Sequence, residues 1–183
     1  MRVTVTRHHL EILRREDLKP SRGGAPEGFE LKQARIPCPE LNRFLYNAVG
    51  AYWVWIDRLA WTRSRWLDYL TRSGVETWVA YLDGTPAGYF ELDPQAEGSV
   101  EIAYFGVLAQ FTGRGVGSHL LACAVERAFD LGARRVWLHT CSLDHPQALN
   151  NYRARGFCVF KVETFEQDIP DSPPSEWQAG GSP

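Results

Sequence analysis

Apolar positions along the chain recur at two spacings, and the switch between them marks the elements. Over residues 2–10, Val3 and Val5 alternate with polar side chains, the period of a half-buried strand. "KPSRGGAPEG" breaks that pattern with Gly and Pro, and "FELKQARI" reads as a short strand after it. "CPELNRFLYNAV" has helical spacing, with Pro39 near its first turn and Gly50 after its end. "WTRSRWLDYLTRSG" predicts a second helix stopped by Gly74. "ETWVAYLDGTPAGYFELD" predicts two strands joined at Asp83-Gly84, a strong hairpin signal. After a turn at residues 94–98, "SVEIAYFGV" predicts a strand over residues 99–107. Val116, Leu120, Leu121, Ala124, Val125 and Ala128 then keep a helical stripe, over residues 115–131, until Gly132. "ARRVWLHTCS" reads as a strand, "HPQALNNYRARG" as a short helix between Pro146 and Gly156, and "FCVFKVETF" as a last strand.

A meander followed by β-α-β-α-β implies the α/β class: a twisted mixed sheet of six or seven strands flanked by about four helices on both faces. The crossover through the glycine-rich turn should be parallel and right-handed. Residues 1–168 read as a single domain and residues 169–183, rich in Pro, Gly and Ser, as a loop or disordered tail. Hydrophobic residues make up 44% of 183, which excludes a disordered chain. A net charge of -2 argues against a nucleic-acid partner. Neither a signal peptide nor a run of ~18 apolar residues is present, so the expectation is a cytoplasmic protein with no membrane partner. Cys38, Cys123, Cys141 and Cys158 are scattered, so neither a metal site nor a disulfide framework is expected. Five of the seven tryptophans, Trp53, Trp55, Trp61, Trp66 and Trp78, crowd one segment, as core or as the wall of a ligand pocket.

The chemistry concentrates in "VLAQFTGRGVGSHLL", where a strand runs through Gly113, Gly115 and Gly117 straight into a helix. The first amides of a helix lack internal partners and sit at the positive end of its dipole. Glycines let a phosphate approach them, and Arg114 and Ser118 add donors. A P-loop would need a lysine that is absent, and a dinucleotide fingerprint would need its third glycine at Ser118 or Leu120. The pattern that fits is Q-x-x-G-x-G, formed by Gln110, Gly113 and Gly115.

This stretch resembles the acetyl-CoA pyrophosphate motif of the GNAT (Gcn5-related) N-acetyltransferases. "ALNNYRARGF" is similar to the family's second signature, an alanine, a tyrosine and a Gly-Phe pair. The resemblance is specific over residues 100–160, architectural over the hairpin before them, and weak over the first 75 residues. It implies transfer of an acetyl group from acetyl-CoA to a primary amine of a small molecule or peptide. The partners expected are those two molecules, with a homodimer left open and no metal. The pyrophosphate would rest on the amides of Gly113, Arg114, Gly115, Val116, Gly117 and Ser118. The pantetheine arm would pair along Phe105, Gly106 and Val107, which requires residues 99–107 and 135–142 to splay into a V. The Phe105 amide is the candidate donor to the thioester oxygen.

Tyr152 is the candidate acid for the leaving thiolate, a transfer uphill by roughly 2 kcal/mol on unperturbed values. Ala148, one turn earlier, leaves room for the cofactor arm. Glu101 is the candidate base, six residues before Val107 as in the histone-acetylating branch. Taking a proton directly from an ammonium would cost it roughly 8 kcal/mol unless burial raises its pKa or water relays the proton. His139 is a rival base and His145 a weaker one. The family often has an asparagine at the position of His145, and Asn151 is a candidate for the lost cofactor contact. Acceptor candidates are Tyr46, Trp53, Trp55, Asp57, Glu91 and His139. Asp57 with Glu91 would hold a cationic amine, the indoles would add cation–π contacts, and Arg58 would instead pair a carboxylate. Within enzymes the rival is a ping-pong mechanism through Cys141; from a different class comes a non-catalytic acyl-CoA-binding module; acyl groups other than acetyl also remain open. A nucleotide-binding protein is a third rival, from another class.

Overall fold

The computed structural model describes residues 1–21 and 23–170, so most of the expected tail, residues 171–183, lies outside the described residues. The predicted elements all form. They run β1 (Arg2–Ile12), β2 (Phe29–Gln33), α1 (Pro39–Gly50), α2 (Arg63–Leu70), β3 (Glu76–Leu82) and β4 (Thr85–Pro94). There follow β5 (Ser99–Val107), α3 (Val116–Asp130), β6 (Arg135–Cys141), α4 (Ala148–Ala154) and β7 (Cys158–Asp168). The strands make one seven-stranded mixed sheet in the order β2-β3-β4-β5-β6-β1-β7.

The helices take both faces because neighbouring sheet residues alternate in direction. Ala80, Phe90, Ile102 and Leu138 meet the apolar stripe of α3, whose Leu120, Leu121, Ala124, Val125 and Ala128 are all fully buried. Val79 and Tyr89 turn the other way and pack with Leu45 and Val49 of α1. Each large side chain so buried contributes about 1.5–3 kcal/mol. Gly106 lets α1 approach this closely: a Cβ there would stand 2.3 Å from Val49 Cγ1.

Three features of the sheet position the site. A bulge falls in β5, where Glu91 lies opposite Tyr104 and Leu92 opposite Ile102, leaving Ala103 over. The parallel pairing of β5 with β6 covers Ser99–Arg135, Val100–Val136 and Glu101–Trp137 and goes no further. Beyond those pairs the two strands diverge, the V that the resemblance implies. The third feature is not visible in the local pattern: β1 runs antiparallel between β6 and β7, so the first strand lies beside the fork.

Candidate active site

The fork opens into a cleft of about 720 Å³ between the ends of β5 and β6. Leu108 N–H donates to Ala87 O at 2.9 Å, just past the Gly88–Val107 pair. Antiparallel pairs alternate in the direction of their main-chain groups. Tyr104 and Gly106 therefore turn theirs to β4, and Phe105 and Val107 turn theirs toward the open gap. At the mouth, Gly113 and Gly115 have φ of 80° and 79°, and Gly115 is the left-handed N-cap of α3. The first amides of α3 thus face the cleft, which Gly113, Gly115, Gly117 and Ser118 line. Ser118 Oγ donates to Gly115 O at 3.0 Å. Gln110 and Arg114 are exposed and stand outside the lining, Arg114 over the Phe111 ring at 5.8 Å. The Val116 side chain is fully buried beneath the turn, leaving only its amide for a ligand.

On the α4 side, Ala148, Asn150, Asn151 and Tyr152 line the cleft. The Tyr152 ring is held edge-on between Phe105 and Phe157, each at 6.1 Å. Burial, and after it the Asp144 charge, raises the phenol well above its usual pKa, so it stays protonated. His145, where relatives often have asparagine, meets the Trp53 ring edge-on at 4.9 Å and accepts from Gln147 N–H at 3.0 Å. The loop at residues 51–62 and the lead-in to α4 touch there.

The acceptor side divides the sequence candidates. Trp53, Trp55, Asp57 and His139 line the cleft. Tyr46 does not: it is buried behind Trp55 and Tyr104, accepts from Arg58 N–H at 3.1 Å, and burial pushes its pKa up to about 12. Glu91 does not reach the cleft either. It is fully buried, accepts from Arg58 at 2.7 Å and from Asn42 at 2.8 Å, and so answers a protein cation. Arg58 is in turn closed off from any substrate carboxylate, caged by Trp61, Trp66, Tyr69 and Tyr104. Burial opposes its charge, but Glu91 together with Tyr69 and Tyr104 outweighs that and raises its pKa.

Glu101 also lies outside the lining, at the last paired step of the fork. Its carboxylate accepts from Gln95 at 2.8 Å, and burial with the nearby Asp93 charge raises its pKa to about 7. His139 is two residues beyond the end of the β5–β6 pairing and open to the cleft. The cleft walls desolvate it, and Arg7 and His9 add to the effect, so its pKa is lowered and the ring stays neutral. Cys141 lines the cleft as well, but burial and Asp144 push its thiol pKa up, which disfavours the nucleophilic thiolate of a ping-pong route. Sequence reasoning missed Arg7 and Gln167, which β1 and β7 bring to the cleft. Their signal lies in the strand order alone.

A forked mixed sheet with an amide-lined turn at its mouth is an acetyltransferase fold. The acetyltransferase (GNAT) family model matches residues 40–157, and the chain belongs to that family. No curated protein matches the sequence. The fold is similar to a GCN5-related N-acetyltransferase from Kribbella flavida at 20% identity and TM-score 0.64, over 92% of this chain and 60% of that one. A GCN5-related N-acetyltransferase from Sphaerobacter thermophilus gives 21% and 0.66, over 92% of this chain and 53% of that one. An aminoglycoside acetyltransferase from an uncultured soil metagenomic sample, in complex with sisomicin, gives 16% and 0.55, over 70% and 87%. The chain thus spans little more than half the length of the first two. Among the described residues no helix is long and apolar enough to cross a membrane, and no cluster of metal-ligating side chains occurs.

Proposed function

We propose that the chain is an acetyl-CoA-dependent N-acetyltransferase that acts directly on a primary amine. One observation carries this reading: the β5–β6 pairing stops at Glu101–Trp137, leaving the main-chain groups of Phe105 and Val107 facing an open cleft. An extended ligand can pair there as an added strand, with its phosphates on the first amides of α3. Acetyl-CoA, when bound, supplies the thioester. The Phe105 amide donates to its carbonyl oxygen as charge develops. His139, neutral and open to the cleft, receives a proton from the amine in place of Glu101, which stands outside the cleft. Tyr152 protonates the departing sulfur. The acetyl carbon exchanges its bond to sulfur for one to nitrogen; of the two protons an ammonium loses, one leaves to water and the other balances the thiol formed. A cytoplasmic setting belongs to this proposal, since none of the four cysteines is in a disulfide.

The test is thiol release from acetyl-CoA with a panel of amines, amino acids and peptides, beside calorimetry with acetyl-CoA. Tyr152→Phe and His139→Asn should each lower kcat about 10²–10⁴-fold while acetyl-CoA affinity stays within twofold. Binding without turnover of any amine would make this an acyl-CoA-binding module, and absence of binding would remove the cofactor as well.

A further inference from the structure

Among the described residues, the acceptor half of the cleft holds one cation, Arg7, and one exposed carboxylate, Asp57, that no side chain answers, while its other carboxylate, Asp144, accepts from Thr140 and from Cys141 N–H. Arg7 reaches it from β1, beside Cys141 in the β1–β6 ladder. Its Nε is buried without a hydrogen-bond partner, and its guanidinium lies over the Phe165 ring at 4.7 Å. Among the described residues its side chain forms neither an ion pair nor a hydrogen bond, unlike the other arginines that approach the core. Arg58 is answered by Glu91, Arg127 by Glu76, Arg135 by Glu11, and Arg155 by the carbonyl of Pro20. A buried guanidinium N–H left idle is costly unless an acceptor arrives from outside. Asp57 is the opposite case: an exposed carboxylate in the loop at residues 51–62, lining the same cleft, with no ion pair among the described residues.

Face and level place the pair. Arg7, His9, His139 and Cys141 share one face of β1 and β6, while Leu10 and Leu138, alternating with them, pack toward α3. Arg7 therefore faces away from α3, whose N-terminus takes the phosphates. Cys141, its ladder partner, lies four residues beyond the last paired residue of β6, and Phe105 lies four beyond that of β5, one of the four being the bulged Ala103. Arg7 thus stands across the gap from the candidate thioester donor. His139 lines the same cleft; burial first and then Arg7 lower its pKa, while Asp144 and then Asp57 raise it.

We infer that the acceptor is zwitterionic: an amine that also bears a carboxylate, the carboxylate paired by Arg7 and the ammonium received by Asp57 beside His139. The substrate class is then amino acids or short peptides with a free carboxylate, and polycationic amines are excluded by the Arg7 charge. This rests on acetyl transfer to an amine at this cleft.

The test compares amino acids and dipeptides with their carboxamides and decarboxylated counterparts, in thiol release from acetyl-CoA by the full chain. The free acids should be turned over with kcat/KM at least tenfold above the neutralised partners. Arg7→Gln should raise KM for the acids tenfold or more and erase that preference, with kcat within threefold, while Arg7→Lys should restore part of it. Asp57→Asn, on an exposed loop, should raise KM for the acids several-fold even where Arg7→Gln fails to fold. Turnover confined to amines without a carboxylate, an acid preference that survives Arg7→Gln, or weaker acetyl-CoA binding in Arg7→Gln would each overturn the proposal. So would acetyl-CoA binding without turnover of any acid in the panel. Loss of acetyl-CoA binding by the unmodified chain would instead overturn the enzyme reading.

Discussion

Glu91 and Glu101 lie on the two sides of the β5 bulge, and their surroundings give them different work. Glu91 is fully buried against Arg58 and Asn42, so it fixes α1 and the loop after it to the sheet. Removing one member of such a pair leaves an uncompensated buried charge and typically costs about 3–5 kcal/mol. Among the described residues no cation touches Glu101 and only Gln95 donates to it, and burial beside Asp93 raises its carboxyl from 4.5 to about 7. A carboxyl raised in this way holds its proton better folded than unfolded. The stability linked to it is fully present below about pH 4.5 and is lost as pH rises through about 7. Glu101→Gln cannot ionise, so the mutant should gain on the unmodified protein as pH rises from about 5 to about 8. Melting temperatures of both proteins across that interval check this, and parallel curves would show that Glu101 is not raised.

The turn into α3 works through its backbone. With φ of 79° at Gly115, any Cβ at that N-cap meets the left-handed penalty of roughly 1–2 kcal/mol. Gly115→Val should therefore raise the acetyl-CoA dissociation constant tenfold or more in calorimetry, because the amides that grip the phosphates lose their aim. Its melting temperature should fall by only a few degrees, since the stripe of α3 remains packed. This turn was legible from residues 107–129 alone, because three glycines between a strand and an apolar helix form a local pattern. The hairpin at Asp83-Gly84 was legible for the same reason. The fates of Tyr46, Glu91 and Arg58 were not. An aromatic or a charge near a predicted pocket reads alike in sequence whether it faces ligand or core, and only the packing of α1 and α2 on the sheet turned these three inward. Glu101 failed as a cleft residue for a related reason: spacing along β5 does not reveal where β6 ceases to pair with it.

Across the whole molecule, the decisive step is a pairing between chain segments far apart in sequence. β1 pairs with β6 from Arg7–Cys141 to Ile12–Val136, and with β7 from Arg2–Asp168 to Glu11–Cys158. No local pattern encodes such contacts, which is why Arg7 escaped sequence reasoning although its strand was predicted. The same topology makes β1 an inner strand whose loss opens two ladders at once. Deleting residues 1–12 would expose the edges of β6 and β7 and remove Leu10 and Ile12, both in the main core. Leu10 and Ile12 alone, truncated to alanine, would each cost about 2–5 kcal/mol, and marginal stability leaves no room for both plus the ladders. The truncated chain should therefore lack a cooperative thermal transition and fail to bind acetyl-CoA, although the family match begins only at residue 40. A separately added peptide of residues 1–12 should restore part of the binding by filling the vacant strand position. A truncated chain that melts cooperatively and binds acetyl-CoA normally would mean that β6 and β7 close on each other without β1, and that the cleft is built by residues 40–157 alone.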